Sequence, residues 1–227
     1  MEGRLITLEG IEGSGKTTLL AFIRRILVAN GHPVVITREP GGTALGEQVR
    51  SLLLQPWEGG MTADAELLLL FAARTEHLTR VIRPALAMGK WVLCDRFIDA
   101  THAYQGGGRQ VPQSRIAALE SWLQDMRYPD LTLLFDLPVE VGATRVLQRA
   151  AANGASRLDR FESEERVFHA QVRAAYLAVA AAHPERFRII DASRPLHEVE
   201  AGVDRVLAAW LGAVGVNSYC DPPTCSP

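Results

Sequence analysis

Lysine is almost missing from this 227-residue chain. Of 24 basic residues only Lys16 and Lys90 are lysines, and the other 22 are arginines. A local crowd of arginines therefore carries little information, whereas a lysine in a special position carries more. Cysteine is scarce too. Cys94, Cys220 and Cys225 form no disulfide framework and have no metal spacing with a histidine, which reads as reduced thiols in a cytoplasmic protein. Net charge is only −2, so no basic field points to nucleic acid. The longest apolar stretches, such as "AELLLLFAA", fall far short of the roughly 18 residues a membrane span needs. The opening "MEGRLITLEG" has neither a basic leader nor a cleavage site, and a strand-like segment begins at once. Partners among nucleic acids and membranes are thus not expected.

What is present is an alternation of short apolar runs and longer helical patterns. Strands are expected at 5–8, 34–37, 91–95, 131–136 and 187–191, each apolar and bounded by polar or turn residues. Helices are expected at 16–29, 44–54, 63–87, 113–125, 138–151, 162–183 and 195–211. Alternation of this kind gives an α/β fold, a five-stranded parallel sheet flanked by helices, in one domain over 1–211. The tail 212–227 is expected to be disordered. Ligands of open parallel sheets bind beyond the C-terminal strand ends. Those ends carry Glu9, Arg38, Glu39, Asp95, Arg96, Asp136 and Asp191, an unusual density of charge for a core.

Residues 10–17, "GIEGSGKT", fit the phosphate-cradling pattern G-x-x-x-x-G-K-[ST], after a strand and opening a helix. Glycines let successive N–H groups turn inward, and the helix N-terminus adds partial positive charge. Gly10, Ile11, Glu12, Gly13, Ser14, Gly15, Lys16, Thr17 and Thr18 are the expected nucleotide-binding residues. Lys16 bridges the terminal phosphates of ATP, and the Thr17 hydroxyl ligates Mg²⁺. A nucleotide switch would also need N-K-x-D and D-x-x-G. No asparagine here precedes a lysine, and no aspartate has glycine three residues on. Kinase chemistry is the stronger class, another P-loop nucleoside monophosphate kinase or a non-catalytic nucleotide-binding regulator being the alternatives.

Four further segments, "TREPGGT" (37–43), "FAAR" (71–74), "DRFIDATHAYQGGGR" (95–109) and "RLDRFE" (157–162), join "LEGIEGSGKTT" (8–18). In this order and spacing the chain, from about residue 4 to 211, closely resembles bacterial thymidylate kinases. The resemblance implies a P-loop fold with a short lid at about 150–161, dTMP as acceptor, ATP as donor, Mg²⁺ as cofactor, and a homodimer packed through long apolar helices such as 63–87. It also implies roles. Arg38 and Arg96, two planar forks past strand ends, would hold the acceptor phosphate. Phe71 would stack on the thymine and Arg74 would bond its O4. Thr101, Tyr104 and Gln105, on the loop after Asp95-Arg96, would surround the sugar and the pyrimidine edge. Relatives read Ser-Thr where this chain reads Ala100-Thr101.

Glu12, a carboxylate inside a phosphate cradle, would then face the acceptor and accept a hydrogen bond from its 3′-hydroxyl. Relatives differ in where a catalytic arginine sits. The P-loop position is Gly13 here, so the lid must supply it. Arg157 and Arg160 are candidates, with Arg149 a third. Asp95 would order the acceptor phosphate or the metal shell.

Overall fold

The five apolar runs become five parallel strands, β1 (Leu5–Glu9), β2 (Val34–Arg38), β3 (Trp91–Asp95), β4 (Leu131–Asp136) and β5 (Phe187–Asp191), ordered β2-β3-β1-β4-β5. This computed structural model describes residues 3–123, 127–152 and 158–215. The order puts β1 at the centre with every residue buried, and its two polar side chains, Thr7 and Glu9, are both hydrogen-bonded there. Register aligns Arg38 with Asp95 and Leu8 with Asp95, so the charged strand ends meet at one edge.

Helices cover both faces. α1 (Lys16–Ala29), α8 (Arg166–Ala182) and α9 (Leu196–Ala213) enclose Ile6, Leu8, Trp91, Leu93 and Phe135. The alternate strand residues, Leu5, Val92 and Cys94, pack with α3 (Ala63–His77), α4 (Arg83–Ala87) and α6 (Gln113–Trp122) on the opposite face. The remaining helices are α2 (Ala44–Leu54), the short α5 (Ile98–Thr101) and α7 (Val139–Ala152). No described helix is long and apolar enough to cross a membrane.

Three departures from the sequence reading have physical causes. The helix expected over 63–87 is interrupted by a π-helical turn, Leu78–Ile82, one residue ahead of Pro84, which has no N–H and crowds the preceding turn. The helix expected from 162 begins at Arg166. Ahead of it the Asp159 carboxylate accepts from the N–H groups of Phe161 and Glu162 and holds a turn instead. The stretch after Arg96 is not a loop. It forms α5 and then a π-helix, His102–Gly108, whose wide winding is visible in the Arg109 N–H bonding the Tyr104 carbonyl. Three glycines in a row argue against a helix by propensity. Packing overrules it: a Cβ on Gly107 would lie 2.4 Å from that of Ala175, so only glycine lets α8 approach this closely.

A buried ion pair fixes the base of that segment. Arg186 donates to both Asp99 oxygens at 2.7 and 2.8 Å and to the Thr132 hydroxyl at 2.9 Å, tying α5 to β4 and the start of β5.

Candidate active site

A cavity of about 1020 Å³ opens beyond the C-terminal ends of the strands, with the cradle at one side and α3, α5 and the π-helix at the other. Residues 12–18 line it. Gly10 and Ile11 stand behind its wall, and the Ile11 side chain is in the core. Their carbonyls accept from Lys16 Nζ at 2.9 and 3.0 Å, and Ser14 Oγ accepts at 3.0 Å. Burial, together with the nearby Arg96 charge, lowers the Lys16 pKa to about 8 against the pull of Asp95, Glu12 and Glu9. Gly13 has φ 75°, and a Cβ there would fall 2.3 Å from the Gly142 carbonyl of α7. No arginine fits at that position without displacing a helix.

Glu12 does not face solvent. Its Oε1 accepts from the Tyr104 hydroxyl at 2.6 Å and from Arg96 Nη2 at 3.0 Å. Oε2 is buried without a hydrogen bond, although His169 Nδ1 lies 3.3 Å away. Burial alone would raise the carboxyl pKa. The Arg96 guanidinium, His169, Lys16 and Tyr104 overrule it and hold the group well below the usual carboxylate range. Glu12 is thus a fixed anion with one acceptor oxygen unspent.

Arg96 itself has φ 65°, a left-handed backbone that costs a non-glycine residue of order 1 kcal/mol. Tyr176 and Glu12 hold its guanidinium, which lies 4.8 Å from the Tyr104 ring centre. Behind it, Glu9 is fully buried, accepting from the Phe97 N–H and the Tyr176 hydroxyl, both at 2.7 Å. Burial, with the Asp99 charge added, pushes its pKa up to about 8.

Arg74 is buried at the end of a chain of contacts. Its Nε donates to Glu39 Oε2 at 2.7 Å, and Glu39 Oε1 meets His77 Nδ1 at 2.9 Å. Arg74 Nη2 reaches the Thr101 hydroxyl at 3.0 Å, while Nη1 is buried with no partner. Phe71 is a core residue, 3% exposed and absent from the cavity wall; its ring lies 5.1 Å from the Arg74 guanidinium. Leu70, one turn before Arg74, lines the cavity instead. Both i−3 and i−4 share the face of a helix, and the sequence reading picked the aromatic one. Gln105 lines the cavity and donates to Glu66 at 2.7 Å.

Arg38 lies on the wall, paired with Glu47 at 2.7 Å near the surface, and Arg50 stands beside it. Asp95 lines the cavity with Oδ1 buried and unpartnered. Thr17 and Thr18 are exposed to it. Ala100 lines it too, at the position without a hydroxyl.

The arginines expected of the lid divide. Arg157 lies outside the described residues. Arg160 is turned away: its Nε bonds the Leu53 carbonyl at 2.8 Å and its Nη1 meets Glu66 at 2.6 Å. Arg149 lines the cavity, ion-paired with Glu162, and Arg145 lines it one turn earlier. Sequence reading placed Glu39 at the rim without a role and missed Arg50, Leu70, Arg145, Phe161, His169 and Tyr176. A helix-face count from Arg149 would have found Arg145, and one from Arg74 would have found Leu70. The long-range contacts of His169 and Tyr176 left no local signal.

A parallel sheet with a glycine cradle at its central strand, and a cluster of polar side chains facing it across the same cavity, is the arrangement of a P-loop phosphoryl-transfer enzyme. The thymidylate kinase family model matches residues 8–203, and the chain belongs to that family. It is 57% identical over 211 residues to the thymidylate kinase of Pseudomonas savastanoi pv. phaseolicola, covering 93% of this chain and 98% of that one. It is 52% identical over 213 residues to that of Alcanivorax borkumensis, covering 92% and 100%. The crystal structure of thymidylate kinase from Ehrlichia chaffeensis superposes with a TM-score of 0.69 at 34% identity, covering 91% of this chain and all of that one.

Proposed function

We propose that this chain transfers the γ-phosphoryl group of ATP to dTMP, giving ADP and dTDP. One observation carries the reading: the phosphate cradle and the polar pocket around Arg74 share a single cavity, with Glu12 standing between them. Phosphoryl transfer is mainly positioning plus electrostatic stabilisation, so two sites facing each other across one cavity is the geometry it needs.

The roles follow from the free valences. The Lys16 ammonium, now bonded to its own loop, turns to the terminal phosphates of ATP, and the inward N–H groups of the cradle hold the rest. Arg96 and Arg38 flank the acceptor phosphate. The orphaned Nη1 of Arg74 donates to a carbonyl on the base edge, such as thymine O4. Leu70 and Phe97 give that base apolar walls. Glu12 Oε2 accepts from the 3′-hydroxyl, and the buried Tyr104 crowds the sugar so that a ribose hydroxyl has no room. Arg149 is the described arginine best placed to meet charge on the transferred group.

Thr17 and the unpartnered Asp95 oxygen offer the hard oxygen ligands that suit Mg²⁺. When bound there, the ion neutralises charge on the phosphates. An exposed stripe on α3, Leu68, Ala72 and Thr75, is the surface through which a homodimer would pack, in a cytoplasmic enzyme. Sedimentation of wild type and Leu68→Glu tests it: a monomeric wild type rejects the dimer.

The activity is tested by coupling ADP release to a panel of monophosphates: dTMP, dUMP, UMP, dCMP, dGMP and AMP. dTMP is expected to be preferred by kcat/KM. Preference for any other acceptor, or ADP release indifferent to acceptor, overturns the reading.

A further inference from the structure

Glu66 lies in the first turn of α3, fully buried, yet it faces neither solvent nor the phosphate cradle. Three elements converge on it. Gln105 of the π-helix donates to Oε1 at 2.7 Å. The Arg109 Nε lies 3.3 Å from both oxygens. Arg160 Nη1, from the segment beyond α7, lies 2.6 Å from Oε2. Arg160 is held a second time, since its Nε and its backbone N–H bond the Leu53 and Leu54 carbonyls at the end of α2. Arg109 Nη2 also meets Glu164 at 2.6 Å. Two carboxylates thus balance two guanidiniums, which is what burial of such a cluster demands.

The cluster grips one ring. The Arg109 and Arg160 guanidiniums lie 5.8 and 4.5 Å from the centre of Phe161. Phe161 lines the cavity and stands edge-on to Tyr104 at 5.8 Å, and Tyr104 bonds Glu12. A continuous line of contacts therefore runs from Glu66 to the two side chains that face the acceptor's sugar.

We propose that Glu66 is a positioning residue for the acceptor: by clamping Arg160 and Gln105 it fixes Phe161 against Tyr104 and so sets the shape of the sugar pocket. Arg160 acts as the other jaw of this clamp and not as a phosphate ligand. The proposal rests on the acceptor pocket assigned above, but its first test does not depend on which nucleotide fills that pocket.

That test is amide hydrogen exchange of the unliganded protein, comparing wild type, Glu66→Gln and Arg160→Leu. Both variants are expected to exchange about tenfold faster over 159–164, with the β1 and β4 amides unchanged. Arg160→Leu leaves Glu66 paired with Arg109 and Gln105, so it carries the test if Glu66→Gln does not fold. Steady-state kinetics give the second readout. Both variants should raise KM for dTMP about fivefold or more, with KM for ATP within about twofold, and the double variant should be no worse than the weaker single. Unchanged exchange over 159–164 overturns the clamp. Additive penalties, or loss of kcat in Arg160→Leu that Glu66→Gln does not share, make Arg160 a phosphate-touching residue and also overturn it. A wild type inactive on dTMP would reject the activity assignment and leave the exchange result standing by itself.

Discussion

Glu12 and Arg96, 84 residues apart in sequence, form a 3.0 Å ion pair where the phosphate cradle meets the side of the cavity that Tyr104 and Arg74 line. The pair orients the carboxylate so that Oε1 is saturated and Oε2 is not. A carboxylate in a phosphate cradle is thereby neutralised on one side by a guanidinium.

Removing the acceptor's 3′-hydroxyl should leave Glu12 Oε2 buried with only the His169 ring, 3.3 Å away, beside it, costing about 1–3 kcal/mol in kcat/KM, roughly 5- to 150-fold. In Glu12→Gln much of that discrimination should vanish, because a neutral amide bonds the hydroxyl less strongly. Four values of kcat/KM check this: wild type and Glu12→Gln, each with dTMP and its 3′-deoxy analogue. Additive penalties would show that Glu12 does not contact the hydroxyl.

Lys16→Ala should keep the fold and lose at least about 100-fold in kcat, as loss of an aimed charge-stabilising group does. The circular dichroism spectrum should match wild type, since the ammonium's present partners are all within its own loop. Near-normal turnover would remove Lys16 from catalysis.

Arg74→Met should do two things that a surface arginine would not. KM for dTMP should rise while ATP affinity, read by calorimetry, holds. Stability should fall by about 3 kcal/mol, because Glu39 is left buried with only His77 as partner. Equal losses for both nucleotides would make Arg74 structural only.

Glu9 should make stability fall with rising pH. Its folded pKa, about 8, is raised above the ordinary 4.5, so the folded protein binds the extra proton between those values. Its contribution is fully present below about 4.5 and is lost as pH rises through about 8. Urea unfolding at pH 5 and pH 8.5 should therefore show a smaller decline in Glu9→Gln than in wild type. An equal decline in both would mean that the carboxyl titrates normally.

The sheet was legible because its five strands are apolar runs set off by charge, and β3, β4 and β5 fall on the expected residues. The cradle was legible because strand, glycines and Lys16 are contiguous. Phe71 and Leu70 were not separable by spacing, since only tertiary packing decides which of two neighbours on a helix meets the core. The lid arginines were not separable either: in a chain with 22 arginines, composition offers no mark, and Arg160 is assigned by a carboxylate nearly 100 residues away. The helix over 98–108 was hidden by its glycines, whose packing against α8 leaves no signal in the residues themselves.

The π-helical winding of 102–108 has a bearing on how such a chain can change over generations. A π turn uses one residue more than an α turn to close its hydrogen bond. Deleting any one of the seven would invite the segment to relax to ordinary winding, rotating Tyr104 and Gln105 off the cavity while the hydrophobic pattern stayed intact. A substitution in this segment changes one contact, such as that of Tyr104 with Glu12 or of Gln105 with Glu66, whereas an insertion or deletion shifts them all together. Between Arg96 and Arg109 the number of residues, as well as their side chains, thus sets where Tyr104 and Gln105 stand.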